Sequence, residues 1–211
     1  MRRRGLVVDV GANVGYFGLF AATSGCRVLA YEMQRELADY VRASALLNDL
    51  TPRNITVRNV ALVERSTQPV YYEAQRIDSA NVGGAHAYVG TVPSATATHA
   101  YARAAVSTLD AELVDDAADD DVRNAPVALL KLDIEGSEPQ AVAGATELLR
   151  SGRVLNVVVE CRARPPAIAQ HDMLVRLWRH GRFDTVAVLD APEYDVRAVL
   201  GLGAPPRTPR V

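Results

Sequence analysis

The sequence predicts an α/β fold built on a doubly wound, mostly parallel sheet, and three observations carry that expectation. Short β-branched runs alternate with helical patterns near the amino terminus and again from about residue 127. The first run stops at a glycine-spaced turn that opens a helix. Later runs stop at acidic residues, among them Glu32 and Asp133, where open α/β sheets present strand ends to a ligand crevice.

Taken in order, residues 6–10 read as a buried strand. Residues 14–24 read as a helix, with Asn13 as its N-cap and Gly25 just past its end. A second strand covers 27–31. The helix over 34–48 sets Leu37, Tyr40, Val41 and Leu47 on one face at spacings near 3.6. A third strand covers 55–60. The middle, 63–125, is less regular, with an extra strand at 69–72 and a Gly/Ser/Ala/Thr-rich stretch over 79–100. A loop of that length inside a compact domain is functional or disordered. Its acidic run, Asp110, Glu112, Asp115, Asp116, Asp119, Asp120 and Asp121, reads as a hydrated surface rather than a metal site.

Regularity returns with a strand over 127–133, apolar but for Lys131 before its closing aspartate. Ser137 and Gln140 match a capping box, and Ala141, Val142, Ala145, Leu148 and Leu149 mark the buried face of one helix ended by Gly152. Residues 154–160 give a strand, 172–179 a helix and 183–189 a last strand. The tail from Gly201, with Pro205, Pro206 and Pro209, does not favour regular structure. The expected organisation is one domain over 1–200, with an irregular insert at 63–125 and a loose tail over 201–211.

Composition narrows the function classes. Hydrophobic residues make up 49% and charged residues 23%, ordinary for a soluble globular chain. No apolar run approaches the ~20 residues that span a bilayer, so no membrane association is expected. The basic-then-apolar start is interrupted at once by Asp9 and reads as a strand rather than a secretory leader. A net charge of -2 and the lack of a basic stripe argue against nucleic acid as a partner. Cys26 and Cys161 sit in or beside apolar runs, as free thiols in a reducing, cytoplasmic compartment would. His86, His99, His171 and His180 lack metal-ligand spacing, and no metal is expected.

The first chemical constellation is Asp9-Val10-Gly11-Ala12-Asn13-Val14-Gly15. Gly11 and Gly15 let the backbone turn tightly and approach a ligand. The helix start supplies N–H groups for a carboxylate, and Asp9 can accept from an ammonium. A ligand with both groups is an amino acid. Glu32, at the end of the second strand, suits ribose hydroxyls. Amino-acid head plus ribose is the shape of S-adenosyl-L-methionine. The G-x-N-x-G spacing puts Asn13 where a dinucleotide fingerprint wants glycine, which disfavours a nicotinamide-dependent oxidoreductase.

The second constellation is Leu130-Lys131-Leu132-Asp133-Ile134-Glu135-Gly136-Ser137-Glu138. Clustered carboxylates at a strand mouth are costly unless they meet cations, protons or polar ligands. Glu138 also has a simple reading, as an acid in a first helical turn. Glu160 ends the next strand by the same logic as Asp133, or stands there as a surface carboxylate.

These segments resemble the FkbM family of methyltransferases. The carrying residues are Val8 to Gly15, Tyr31-Glu32, Thr108-Leu109-Asp110 and, above all, the lysine-x-aspartate-x-glutamate-glycine-x-glutamate run from Lys131 to Glu138, followed by Leu148-Leu149 and Val158-Val159-Glu160. The resemblance implies a Rossmann-like fold of the class I S-adenosylmethionine-dependent type. It implies methyl transfer to a hydroxyl oxygen of a sugar, polyketide or similar small molecule or glycan. It also implies cofactor contacts at Asp9, Gly11, Asn13, Gly15, Glu32 and the adjacent Met33, which stands where the family more often has proline. Members commonly carry a longer segment before the glycine loop that helps cover the site, so less cover is expected here.

The sulfonium of such a cofactor is already an activated electrophile, leaving the protein to align the reactants and remove a proton. The expected chemistry is in-line attack by an acceptor oxygen, with Asp133 or Glu135 as general base or as orienter of the hydroxyl. A divalent cation on Asp133, Glu135 and Glu160 is the alternative activator, and the metal-free version is preferred. A non-catalytic cofactor-binding or regulatory protein with a decayed fold is the alternative function. Tyr71, Tyr72, Tyr88 and Tyr101 read as packing residues before acceptor contacts. The oligomeric state is not legible.

Overall fold

The computed structural model describes residues 4–65, 67–73, 86–91, 100–115, 120–161, 168–185 and 187. In chain order the strands and helices are β1 (Arg4–Val10), α1 (Tyr16–Thr23), β2 (Cys26–Tyr31), α2 (Arg35–Leu47), β3 (Ile55–Arg58) and β4 (Ala61–Leu62). There follow β5 (Val70–Glu73), β6 (Ala87–Val89), β7 (Tyr101–Ala104), β8 (Val106–Ser107), a π-helical turn (Ala111–Asp115) and α3 (Asp120–Arg123). The last part holds β9 (Val127–Leu132), α4 (Glu138–Ala143), α5 (Thr146–Arg150), β10 (Val157–Val159) and α6 (Ile168–Gly181).

The central sheet has five strands in the order β10-β9-β1-β2-β3, every pair parallel, as the alternation of strand and helix predicts. The chain runs outward from β1 through β2 to β3 on one side and places β9 and β10 on the other. The boundary between β1 and β9 is therefore the topological switch point, where this architecture opens a crevice.

Alternation along β1 explains the two layers of core. Leu6, Val8 and Val10 point into one cluster with Leu148, Leu149, Met173 and Leu177, while Val7 points into another with Ala22, Val41 and Ala45. Asp9 shares the face of Val7 and so lies on the α1 side. Its neighbours in register are Ala30 on β2 and Lys131 on β9.

Several boundaries differ from expectation for local physical reasons. The first helix starts at Tyr16 rather than at residue 14, and its N-cap is Gly15 rather than Asn13. Both residues have positive φ (51° at Asn13, 90° at Gly15), so the chain is still turning where a helix would have to begin. In α2, Leu37, Ala38, Val41 and Ala45 are buried, whereas Tyr40 and Leu47 are 48% and 86% exposed. The apolar stripe is completed by alanines, not by the larger residues.

The helix expected up to Gly152 is two helices. Ser137 makes no side-chain cap bond, so the capping box does not form. Gly144 lies against the Val63 backbone, where any Cβ would collide with the Val63 carbonyl. Asp110 then accepts the N–H groups of Glu147 (3.0 Å) and Leu148 (2.8 Å) and starts α5. This removes Asp110 from the hydrated run, and Glu112 leaves it too, pairing with Arg58 at 3.3 Å. Of that run, Asp116 and Asp119 lie outside the described residues, as do the side chains of Asp120 and Asp121.

The irregular middle contains more strand than expected: β5 pairs antiparallel with β6 and β7, and β4 pairs parallel with β8. These strands have two to four residues each, too short for a periodic signal. Near the carboxyl terminus, residues 183–185 and 187 carry no strand, and the remainder of the expected 183–189 strand and the 201–211 tail lie outside the described residues. Among the described residues no helix is long and apolar enough to cross a membrane.

Candidate active site

The switch point holds a cleft open to solvent. Its floor is the end of β1 with Gly11, Ala12 and Asn13; one wall is Glu32, Met33 and Gln34 after β2; the opposite wall is Lys131 near the end of β9 with Asp133, Ile134 and Glu135 after it. Tyr16 and Phe17 of α1, with Ala87 and Val89 of β6, add apolar surface.

Of the residues expected from sequence, Gly11, Asn13, Glu32, Met33, Asp133 and Glu135 line this cleft. Asp9 and Gly15 do not. Gly15 is buried, packs near Leu19 and Val41, and gives its N–H to the Ala12 carbonyl at 2.8 Å. Asp9 is 1% exposed and lies beneath the loop. Burial raises its pKa, while the Lys131 ammonium and the Gly18 backbone N–H pull it back down. The carboxylate expected to meet an incoming ammonium already faces one, supplied by the protein.

Glycine at position 11 is obligatory on two counts. Its φ is +81°, and a Cβ there would collide with the Asp133 carbonyl oxygen. The contact brings the β1 and β9 loops together, and the Asp133 N–H bonding the Val10 carbonyl at 3.1 Å joins them again.

Glu32 is 5% exposed, and its two oxygens accept separate backbone N–H groups: Oε2 from Asn13 and Oε1 from Gln34, both at 2.9 Å. Burial raises its pKa, and these two bonds oppose the shift. A carboxylate has about four lone-pair sites, so each oxygen keeps one for a ligand. Asn59 holds this loop from behind, donating through Nδ2 to the carbonyls of Glu32 and Met33 at 2.9 Å each. The Asn13 side chain adds a buried Oδ1 with no hydrogen-bond partner, an acceptor beside the cleft.

Two residues of the motif, Lys131 and Glu138, hold the site in ways that their sequence pattern does not specify. Lys131 Nζ lies 3.0 Å from the Gly11 carbonyl, 3.1 Å from Asp9 Oδ1 and 3.5 Å from Asp133 Oδ2, and 5.2 Å from the centre of the Phe17 ring. Its sequence signal was a single charge inside an apolar strand. Glu138, for which a helix-dipole role was one of two readings, is fully buried, and its Oε1 accepts the N–H groups of Ile134 (2.8 Å) and Gly136 (3.2 Å). It thereby holds the turn that presents Glu135, a non-glycine residue at a φ of 60°, followed by Gly136 at 97°, where glycine is at ease. His86 Nδ1 lies 2.9 Å from the Glu135 carbonyl oxygen.

Burial raises the pKa of Glu160, with Asp133 and Glu138 adding to it. Among the described residues, no group of three or more His, Cys, Asp and Glu side chains is arranged to hold a metal ion.

A family model of the methyltransferase FkbM domain matches residues 9–183. Among solved structures, the chain is similar to a methyltransferase FkbM from Methylobacillus flagellatus KT, with 20% sequence identity and a TM-score of 0.43. That match covers 72% of this chain but 32% of the other, so the chain spans about a third of that protein's length. No curated protein matches.

Proposed function

The chain belongs to the FkbM methyltransferase domain family, and from that premise we propose that it is an S-adenosylmethionine-dependent methyltransferase acting on a hydroxyl of a sugar, polyketide or similar small molecule or glycan. The observation that carries the reading is Glu32, a carboxylate at a strand end that lines the cleft, is fixed by two backbone N–H groups, and retains lone pairs for ribose hydroxyls. The partnerless Asn13 Oδ1 fits the ammonium of an amino-acid head. The cofactor's ordinary chemistry is to offer a methyl group on a sulfonium. Gly11 and Asn13 would hold its amino-acid portion, Glu32 and Met33 its ribose side; Asp9 and Gly15 support this loop from beneath.

The remaining tasks belong to the far wall. Asp133 is the proposed acceptor of the hydroxyl proton, because its side chain is 44% exposed into a cleft that also presents the cofactor loop. Glu135 orients the acceptor, held in position by Glu138. Tyr16 and Phe17 offer an apolar, edge-to-face pair with ring centres 5.2 Å apart at the same mouth. The two free cysteines fit a cytoplasmic setting.

Transfer of isotope-labelled methyl groups from S-adenosylmethionine to a panel of hydroxylated small molecules and glycans tests this reading. Label on an acceptor oxygen, lost in Asp133→Asn and Glu135→Gln, is the expected result. Parent-rate transfer by both variants would overturn the assignment of these carboxylates, and cofactor binding without turnover on any acceptor would favour a non-catalytic binding protein.

A further inference from the structure

A helix laid on a sheet ordinarily pairs one apolar stripe, turned inward, with a polar outer face. Helix α1 departs from this, since none of its eight residues is charged. Its inward stripe is already complete: Gly18 and Ala22 are buried, and Leu19 packs against the core cluster that holds Val28 and Val41. The outward face is apolar as well. Val14, just before the helix, and Tyr16, Phe17 and Phe20 within it are 50%, 75%, 55% and 71% exposed. Large apolar side chains scattered singly over a surface need no explanation, but these four fall within seven positions and form one patch.

The patch is continuous with the cleft. Val14, Tyr16 and Phe17 line it, and Phe20 follows one helical turn on, beside Tyr16 and Phe17 at i+4 and i+3. Phe17 stands at the boundary between the polar and apolar parts: its ring centre is 5.2 Å from Lys131 Nζ, and the same ammonium is 3.5 Å from Asp133 Oδ2. We propose that this face selects the methyl acceptor, an amphiphile whose hydroxylated head enters the cleft beside Asp133 and whose apolar chain or ring system lies along Tyr16, Phe17 and Phe20. This rests on the reading that the cleft transfers a methyl group to a hydroxyl, and it narrows that reading to acceptors with an extended apolar part. The lack of charge on α1 favours this occupant. A charged partner surface would lose hydration against the helix without meeting an opposite charge, whereas an apolar chain gains by leaving water. Contacts of this kind, remote from the reacting atoms, also hold the acceptor oxygen in line with the methyl donor.

A matched pair of probes tests this without knowledge of the natural acceptor. Octyl β-D-glucoside, kept below the concentration at which it forms micelles, and methyl β-D-glucoside present the same hydroxyls and differ in the apolar tail alone. In calorimetric titration of the full chain the octyl compound should bind roughly tenfold tighter or more, since each methylene removed from water adds to affinity. Phe20→Ser, outside the cleft lining, should weaken the octyl compound by about threefold or more and leave the methyl compound unchanged. Tyr16→Ser serves as a second variant of the same face. Leu47→Ser, at an equally exposed apolar position on α2, should leave both affinities at the parent values and so controls for general surface adhesion. Equal affinities for the two glucosides, binding of neither, or the same loss in Leu47→Ser as in Phe20→Ser would overturn the proposal. So would a parent that sediments as a dimer and falls to a monomer in Phe20→Ser, which would give this face to a second copy of the chain. Any of these results in a chain that still binds S-adenosylmethionine leaves the cofactor reading standing, whereas a chain that binds no S-adenosylmethionine defeats that reading and the acceptor assignment with it.

Discussion

Glu32 Oε2 accepts the backbone N–H of Asn13 across 2.9 Å, tying the end of β2 to the glycine loop that follows β1. The bond fixes two separate loops in one frame and leaves the carboxylate facing the cleft. Asn13 holds a φ of 51° while it donates, so this bond also helps to stabilise a conformation that a non-glycine residue rarely adopts.

Replacing Glu32 by alanine should strip partners from two backbone N–H groups and remove the proposed ribose contact. Bonds to charged groups contribute about 1.5–3 kcal/mol each. S-adenosylmethionine affinity is expected to fall at least tenfold, roughly the 1.4 kcal/mol equivalent of one lost bond, and the melting temperature to fall with it. Calorimetry and thermal denaturation of Glu32→Ala beside Glu32→Gln, which retains one acceptor oxygen, will show whether binding drops in that order.

The two glycines of the cleft loops should respond very differently to alanine. At Gly11 a Cβ meets the Asp133 carbonyl, so Gly11→Ala must displace a loop or fail to fold. At Gly136, also at positive φ, a Cβ meets nothing within 4 Å, leaving only the left-handed backbone cost of about 1–2 kcal/mol. Denaturant unfolding of both variants measures the contrast; equal losses would mean that the β1 and β9 loops are not packed as described.

Glu138→Ala leaves the N–H groups of Ile134 and Gly136 without their acceptor inside a buried site. A loss of about 2–4 kcal/mol is expected from one or two unmade bonds. Glu138→Gln keeps an acceptor oxygen and should cost clearly less. Chemical denaturation of the pair checks the order, and an alanine variant as stable as the glutamine one would show that the carboxylate does not hold this turn.

Glu160 provides a pH test whose sign is fixed. Burial and the nearby Asp133 and Glu138 raise its pKa above the unfolded value, so the fold prefers the protonated acid and loses that contribution as pH rises through the raised pKa. Glu160→Gln mimics the neutral form. It should melt above the parent on the alkaline side, and the difference should shrink on acidification. A variant that melts below the parent at alkaline pH would contradict this.

Much of the site was legible because charge interrupts apolar runs at strand ends: Glu32, Asp133 and Glu135 all line the cleft. What was not legible depends on partners far along the chain. The role of Lys131 follows from its register opposite Asp9 on a neighbouring parallel strand, and no local pattern encodes that pairing. Asp110 looked like one more hydrated acid because the helix it starts lies 37 residues away. Asn13 does not cap the helix for the opposite reason, a local one: its N–H is drawn to Glu32 while the chain turns on through Gly15. Asp9, expected to greet a ligand, is instead sealed beneath the loop by the lysine that periodicity treated as an interruption.

The most direct test of the whole reading is calorimetric titration of the unmodified chain with S-adenosylmethionine. Saturable binding at one site per chain, weakened in Glu32→Ala, is the predicted result. A parent chain that gives no binding heat and no thermal stabilisation at millimolar cofactor would contradict it.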